Sequence, residues 1–272
     1  MISQDTSVLT FFVVGCQRCG TTWVDAALRG HSEVFLPQKK QSYFFDRYYD
    51  KGIDWFMERF RGVESHHLAI GEVATGYCLP EASGLLAKHF PDVKLIMVMR
   101  NPIDRAYSNY QSRKIESGWN SFEQAIESDQ DLLIRGQYMD QIEGLLKHYD
   151  REQMLFLLYD DLHNDDKMFL KTILDFIGVE SSEESKLIGQ RKNAAMFPNL
   201  KKMLHQLGLK SLVNMMSQSW VGDKIRRSRK NKGRAYQPMK KETKQRLQKH
   251  FAPYNSRLSK FLERDVSSWN VS

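Results

Sequence analysis

Cysteine is scarce in this sequence: only Cys16, Cys19 and Cys78 occur among 272 residues. A disulfide-stapled scaffold is thereby excluded, and a chain of this length builds a core without one. Long apolar runs are missing too, since no stretch approaches the ~20 residues of a membrane span. The opening MISQD is not a basic segment followed by an apolar one, the pattern of a secretory signal. No linker, internal repeat or low-complexity tract interrupts the chain. With 41% hydrophobic residues there is material for one sizeable core. We therefore expect a soluble, cytoplasmic protein of one domain, residues 1–272 with a core over about 8–266.

What the chain does have is positive charge. Forty lysines and arginines stand against 33 aspartates and glutamates, a formal net charge of +7. An anionic partner is the simplest expectation, whether nucleotide, nucleic acid, membrane surface or acidic polymer. The excess is concentrated, for residues 224–234 (KIRRSRKNKGR) carry seven basic side chains in eleven. Such a run is equally the pattern of a solvated face.

Residues 8–15 (VLTFFVVG) form a continuous apolar run, the signature of a strand buried on both faces. Similar runs stand at 67–73, 93–99 and 154–159. Helical patterns occupy 21–28, 103–114 and 167–177, and an amphipathic one spans 240–262, with a break expected near Pro253. Strands alternating with helices predict an α/β fold, a central parallel sheet with right-handed crossovers and helices on its faces.

The first strand runs straight into Gly15-Cys16-Gln17-Arg18-Cys19-Gly20-Thr21-Thr22-Trp23. Glycines at a G-x-x-x-x-G spacing between strand and helix turn N–H groups inward and aim a helix N-terminus at one point, which favours an anion. Thr21 and Thr22 fall at the first helical positions, where hydroxyls cap the helix or bond a phosphate oxygen. Arg18 is placed to stabilise charge on a leaving oxygen. A P-loop kinase or NTPase needs lysine where Thr21 stands and an acidic magnesium ligand at a strand end, for which Tyr159-Asp160-Asp161 is the nearest match. That alternative stays open on the loop alone, as does an ordinary glycine turn. Cys16 and Cys19 form a C-x-x-C, but no second Cys or His pair stands at ligand spacing to complete a zinc site. We read the pair as loop packing.

A second segment changes the weight of the first. Arg100 follows the 93–99 strand, at the strand end where open α/β sheets bind ligands, and Ser108 lies two helical turns further on. Together they offer a charged fork and a hydroxyl to one phosphate. Arg18-Cys19-Gly20-Thr21-Thr22-Trp23 resembles the K/R-x-G-T-T-x core of the 5'-phosphosulfate loop of sulfotransferases, and residues 100–110 (RNPIDRAYSNY) resemble that family's R-N-P-x-x-R-A-Y-S-x-Y segment. Residues 31–45 (HSEVFLPQKKQSYFF) are similar to the stretch H-P-x-V-x-x-P-x-x-K-E-x-x-F-F. Shorter likenesses occur at 52–56 (G-x-x-W-Y), 70–72 (I-G-E) and 135–138 (R-G-x-Y). Lys232-Gly233-Arg234 resembles a late K-G-R nucleotide loop, with Asn255 and Trp269 in its usual C-terminal context. The likeness runs over nearly the whole chain and is closest to the heparan-sulfate-type and bacterial branch.

The resemblance implies sulfuryl transfer from 3'-phosphoadenosine 5'-phosphosulfate (PAPS), with 3',5'-ADP as product and no metal. Gln17 to Trp23 would hold the 5' end of the donor. Arg100 and Ser108 would hold its 3'-phosphate, and Lys232, Gly233 and Arg234 would fold over the nucleotide. Two departures stand on the acceptor side. The family's glutamate base, three residues before the Phe-Phe pair, is Gln41 here, which takes no proton at neutral pH. The lysine that follows the later glutamate is Val73. Glu72 is the first replacement base to consider, with His31 and Asp46 as others. An amine or acidic acceptor, or poor turnover, would also account for Gln41. We expect a small-molecule acceptor, a metabolite or natural product sulfated on a hydroxyl or nitrogen, with a glycan as the alternative. No nucleic-acid or membrane partner is expected, and nothing in the sequence speaks to oligomeric state.

Overall fold

The computed structural model describes residues 6–180 and 239–270. The basic run and Lys232-Gly233-Arg234 lie outside the described residues. Five apolar segments form strands: β1 (Phe11–Gly15), β2 (Val34–Phe35), β3 (Ala69–Val73), β4 (Lys94–Met99) and β5 (Met154–Leu158). They pair as one parallel sheet in the order β2-β3-β1-β4-β5. Residues of β1 and β3 are buried throughout, which is why these strands read as unbroken apolar runs rather than alternating ones.

The helices are α1 (Thr21–Leu28), α2 (Phe44–Arg47), α3 (Ile53–Met57), α4 (Pro80–His89), α5 (Pro102–Arg113), α6 (Phe122–Ser128), α7 (Asp131–Ile134), α8 (Tyr138–Leu145), α9 (Tyr159–Asn164) and α10 (Asp166–Ile177). The last described helix spans Lys241–Leu262. Helices flank the sheet, as the alternation of patterns predicts. Phe12 of β1 packs against Phe90 at 5.3 Å between ring centroids, and Phe44 against Phe56 at 5.1 Å, within one aromatic cluster. A second cluster joins Ile103, Ala106 and Tyr110 of α5 to Phe122, Leu132, Leu247 and Phe251. It ties the last helix to the segment that begins at Arg100.

Several boundaries differ from the expectation. Residues 6–8 form a 3-10 turn, so β1 starts at Phe11 rather than at Val8. Leu68 is exposed, and β3 starts at Ala69. The two-residue β2 is too short to show a period. Pro253 does not break its helix: it sits on the exposed side, while Leu247, Phe251 and Leu258 hold the buried side across it. One lost backbone bond is outweighed there by packing on both sides of the proline.

Chain order and spatial order disagree at β1. The chain leaves it for β2 and β3 on one flank, then crosses to β4 and β5 on the other. A crevice opens beyond the carboxyl ends of strands at such a reversal. The loop after β1, Arg100 after β4 and Tyr159 after β5 all stand at those ends.

Candidate active site

The loop between β1 and α1 makes its turn with two left-handed residues, Arg18 (φ 72°) and Gly20 (φ 90°). Only glycine suits the second position. A Cβ at Gly20 would stand 2.7 Å from ring carbons of Tyr159, besides the strain of the positive φ. Thr21 and Thr22 then open α1, where the first N–H groups have no carbonyl within the helix. Both the amides and the positive end of the helix dipole point to the crevice.

The two segments singled out in the sequence meet here. Arg18 Nε donates to Ser108 Oγ at 3.1 Å, and Asn109 Nδ2 donates to Gln17 Oε1 at 3.1 Å. The start of α5 is fixed by Asn101, whose side chain accepts from the Ile103 amide at 3.0 Å. The Arg100 guanidinium lies 4.8 Å from the centre of the Tyr159 ring and 3.6 Å from Asp104. Tyr138 donates to the Arg100 carbonyl at 2.7 Å. Trp23 packs edge-on against Phe169 at 6.0 Å. Cys16, Cys19 and Cys78 are buried free thiols, and burial pushes the Cys16 thiol well up. Cys16 and Cys19 are buried within the loop and Cys78 lies beside Gly15 at its start, consistent with a packing role.

Asp160, the nearest match to an acidic magnesium ligand, accepts from the Trp269 indole at 2.9 Å. Asp161 is held by Arg264, with both guanidinium contacts at 2.7 Å. These acids anchor the C-terminal segment.

On the acceptor side, Glu72 is fully buried. Its Oε1 accepts from the Ser42 amide, and its Oε2 accepts from Ser42 Oγ at 3.1 Å and from Tyr77 OH at 3.0 Å. Burial pushes this carboxyl up to about 7, against the opposing pull of those donors and of Arg59. Glu72 thus anchors the Ser42 loop from behind. His31 is likewise committed: Nδ1 accepts from the Glu33 amide at 3.2 Å, which leaves Nε2 to donate to the Glu180 carbonyl at 3.0 Å. Gln41 Oε1 accepts from Thr75 Oγ1 at 3.4 Å, and Val73 is buried in β3. Asp46 is half-buried, and its Oδ1 has no hydrogen-bond partner among the described residues. Burial raises its carboxyl, and a Cβ on Gly76 would stand 2.6 Å from Oδ2.

One side chain was not singled out by the sequence. Lys40 Nζ donates to Thr21 Oγ1 at 3.2 Å and to Thr22 Oγ1 at 3.1 Å. Burial, joined by the charges of Arg18 and Arg29, brings its ammonium down to about 8 against the pull of Asp25. Nothing in the spacing of a lysine from a distant threonine pair announces such a contact.

The fold is a parallel α/β sheet whose crevice brings the loop after β1 against the segment that begins at Arg100. The sulfotransferase domain model matches residues 10–262, and the chain belongs to that family. The kinase or NTPase alternative is thereby set aside. Mouse heparan sulfate glucosamine 3-O-sulfotransferase 3B1 is 26% identical over 270 residues, which cover 93% of this chain and 63% of that protein. Mouse bifunctional heparan sulfate N-deacetylase/N-sulfotransferase 4 is 27% identical over 286 residues, 95% of this chain and 31% of that one. The chain thus spans less than two thirds of the length of either relative. The crystal structure of a sulfotransferase from Alicyclobacillus acidocaldarius superposes with a TM-score of 0.72 at 21% identity, over 97% of this chain and 99% of that one.

Proposed function

We propose that the protein transfers a sulfuryl group from PAPS to a hydroxyl or nitrogen of a small-molecule acceptor. The observation that carries this reading is the Arg18–Ser108 hydrogen bond of 3.1 Å. It brings the loop suited to a 5'-phosphosulfate against the helix suited to a 3'-phosphate, so one nucleotide phosphorylated at both ends suits the two sites together. Thr21, Thr22 and the α1 amides hold the 5' end, while Arg100 and Ser108 hold the 3'-phosphate.

The transfer is an in-line displacement. The acceptor atom bonds to sulfur as the bond from sulfur to the 5'-phosphate oxygen breaks. The electron pair of that bond stays on the oxygen, beside Arg18, and 3',5'-ADP leaves. Positioning and electrostatic stabilisation dominate such a reaction, as in phosphoryl transfer. The acceptor's proton must go to a base. Glu72 and His31 are committed to internal hydrogen bonds, so we assign the proton to Asp46, the candidate left with an oxygen in need of a donor. Asp46→Asn should lower turnover about 100-fold or more with the affinity for 3',5'-ADP unchanged. Turnover within a few-fold of wild type would remove Asp46 as base.

The small-molecule acceptor rests on Gln41 and Val73. A sulfated glycan is a polyanion best held by cations, and the lysine that the resemblance would place after Glu72 is a buried valine. Thermal shifts with 3',5'-ADP, Mg-ATP and an oligonucleotide test the donor, and selective stabilisation by the first supports it. A mass-spectrometric screen for the gain of one SO3 group, with PAPS supplied, tests the acceptor. Small metabolites and a desulfated heparan oligosaccharide serve as competing acceptors. Labelling of the oligosaccharide alone would overturn the small-molecule reading.

A further inference from the structure

Lys40 stands on the segment between β2 and α2, far along the chain from the phosphate loop, yet its ammonium rests on the hydroxyls of Thr21 and Thr22 at 3.2 and 3.1 Å. This is an expensive place for a cation. The side chain is largely withdrawn from water, Arg18 and Arg29 repel it against the attraction of Asp25, and the positive end of α1 lies beneath it. Folding concentrates Lys40, Arg18 and a helix N-terminus at one point, a charge distribution that an arriving anion relieves.

The identity of the two hydroxyls says which anion. In a nucleoside-triphosphate loop, lysine directly follows the second glycine and meets the terminal phosphates. Here Thr21 occupies that position, and Lys40 reaches the same spot from another part of the fold. We infer that Lys40 is a further donor-binding residue, whose ammonium contacts the 5'-phosphosulfate and supplies from across the crevice a second cation beside Arg18 of the loop. This rests on the PAPS reading given above. When the nucleotide arrives, Lys40 moves its hydrogen bonds from the threonine hydroxyls to the anion, and the hydroxyls turn to donate to the same group. As the bond from sulfur to the bridging oxygen breaks, the electron pair gathers between Arg18 and Lys40, so the pair of cations acts most strongly where charge accumulates.

The amine is neutral in part of the free protein near pH 8, and an anionic ligand favours its charged form. Affinity for a 5'-phosphate should therefore decline as pH rises above about 8, by up to about tenfold per unit.

Calorimetry with two nucleotides tests the assignment: 3',5'-ADP, which has the 5'-phosphate, and adenosine 3'-monophosphate, which lacks it. Lys40→Gln should weaken binding of 3',5'-ADP by about tenfold or more and leave adenosine 3'-monophosphate within twofold. Lys40→Arg should retain 3',5'-ADP and lose the decline above pH 8, since guanidinium does not titrate there. Equal losses for both nucleotides in Lys40→Gln, or no loss for either, would overturn the role of Lys40 while the donor reading stands. An undiminished alkaline decline in Lys40→Arg would do the same, even if Lys40→Gln failed to fold. Failure of the wild-type protein to bind either nucleotide would instead overturn the donor reading, and the role of Lys40 with it.

Discussion

Replacing Glu72 with glutamine removes a proton-binding group from a fully buried site while keeping its shape. In the folded protein this carboxyl titrates near 7, against 4.5 for an ordinary glutamate. Below pH 4.5 both folded and unfolded chains hold the proton, and ionisation costs the fold nothing. As pH rises, the unfolded chain releases its proton first, and stability is lost until the folded carboxyl ionises near pH 7. The shift of about 2.5 units corresponds to about 3 kcal/mol. Glutamine has no proton to release. It keeps a carbonyl oxygen for the Ser42 amide, and its amide group meets the hydroxyls of Ser42 and Tyr77, which donate or accept as needed. Between pH 4.5 and pH 8 the wild-type protein should therefore lose about 3 kcal/mol relative to Glu72→Gln. Urea unfolding of both proteins at several pH values measures this difference directly. Parallel stability curves for the two would refute the argument from burial.

Arg100→Ala should weaken binding of 3',5'-ADP by an order of magnitude or more, because a charge-assisted contact to the 3'-phosphate is lost; unchanged affinity by calorimetry would sink that assignment. Gly20→Ala should destabilise the fold by at least about 1–3 kcal/mol, the cost of a left-handed non-glycine residue, and more where its methyl meets the Tyr159 ring. A wild-type urea midpoint would show that the loop accommodates a side chain.

The two segments that meet at Arg18 and Ser108 were legible because the residues of each are neighbours in sequence. Arg18 to Trp23 form one turn and one helix start, and Arg100 to Ser108 form one strand end and one helix, so local spacing carries the geometry. The acceptor half was not, because it depends on contacts between distant segments. Glu72 follows an apolar run and so reads as a strand-end residue, yet β3 is buried at every position, and Ser42 and Tyr77 close over the carboxylate. Lys40 matches the lysine of the K-E-x-x-F-F stretch, but only the packing of the 31–45 segment against α1 reveals its contact with the threonines. The break expected at Pro253 failed for a related reason. Local backbone chemistry argued for it, and the tertiary grip of Leu247, Phe251 and Leu258 decided otherwise.

The hydrogen bond between Arg18 and Ser108 has a consequence for turnover. Two groups assigned to opposite ends of one ligand hold each other when it is absent. Donor binding is then an exchange of partners rather than a simple gain of contacts, and its net free energy is smaller than the contacts alone suggest. On the proposed reading the same exchange runs in reverse when the spent nucleotide departs, since the arginine and the serine close on each other again. On that reading, a site that grips a doubly phosphorylated product and still releases it is served by such an internal competitor.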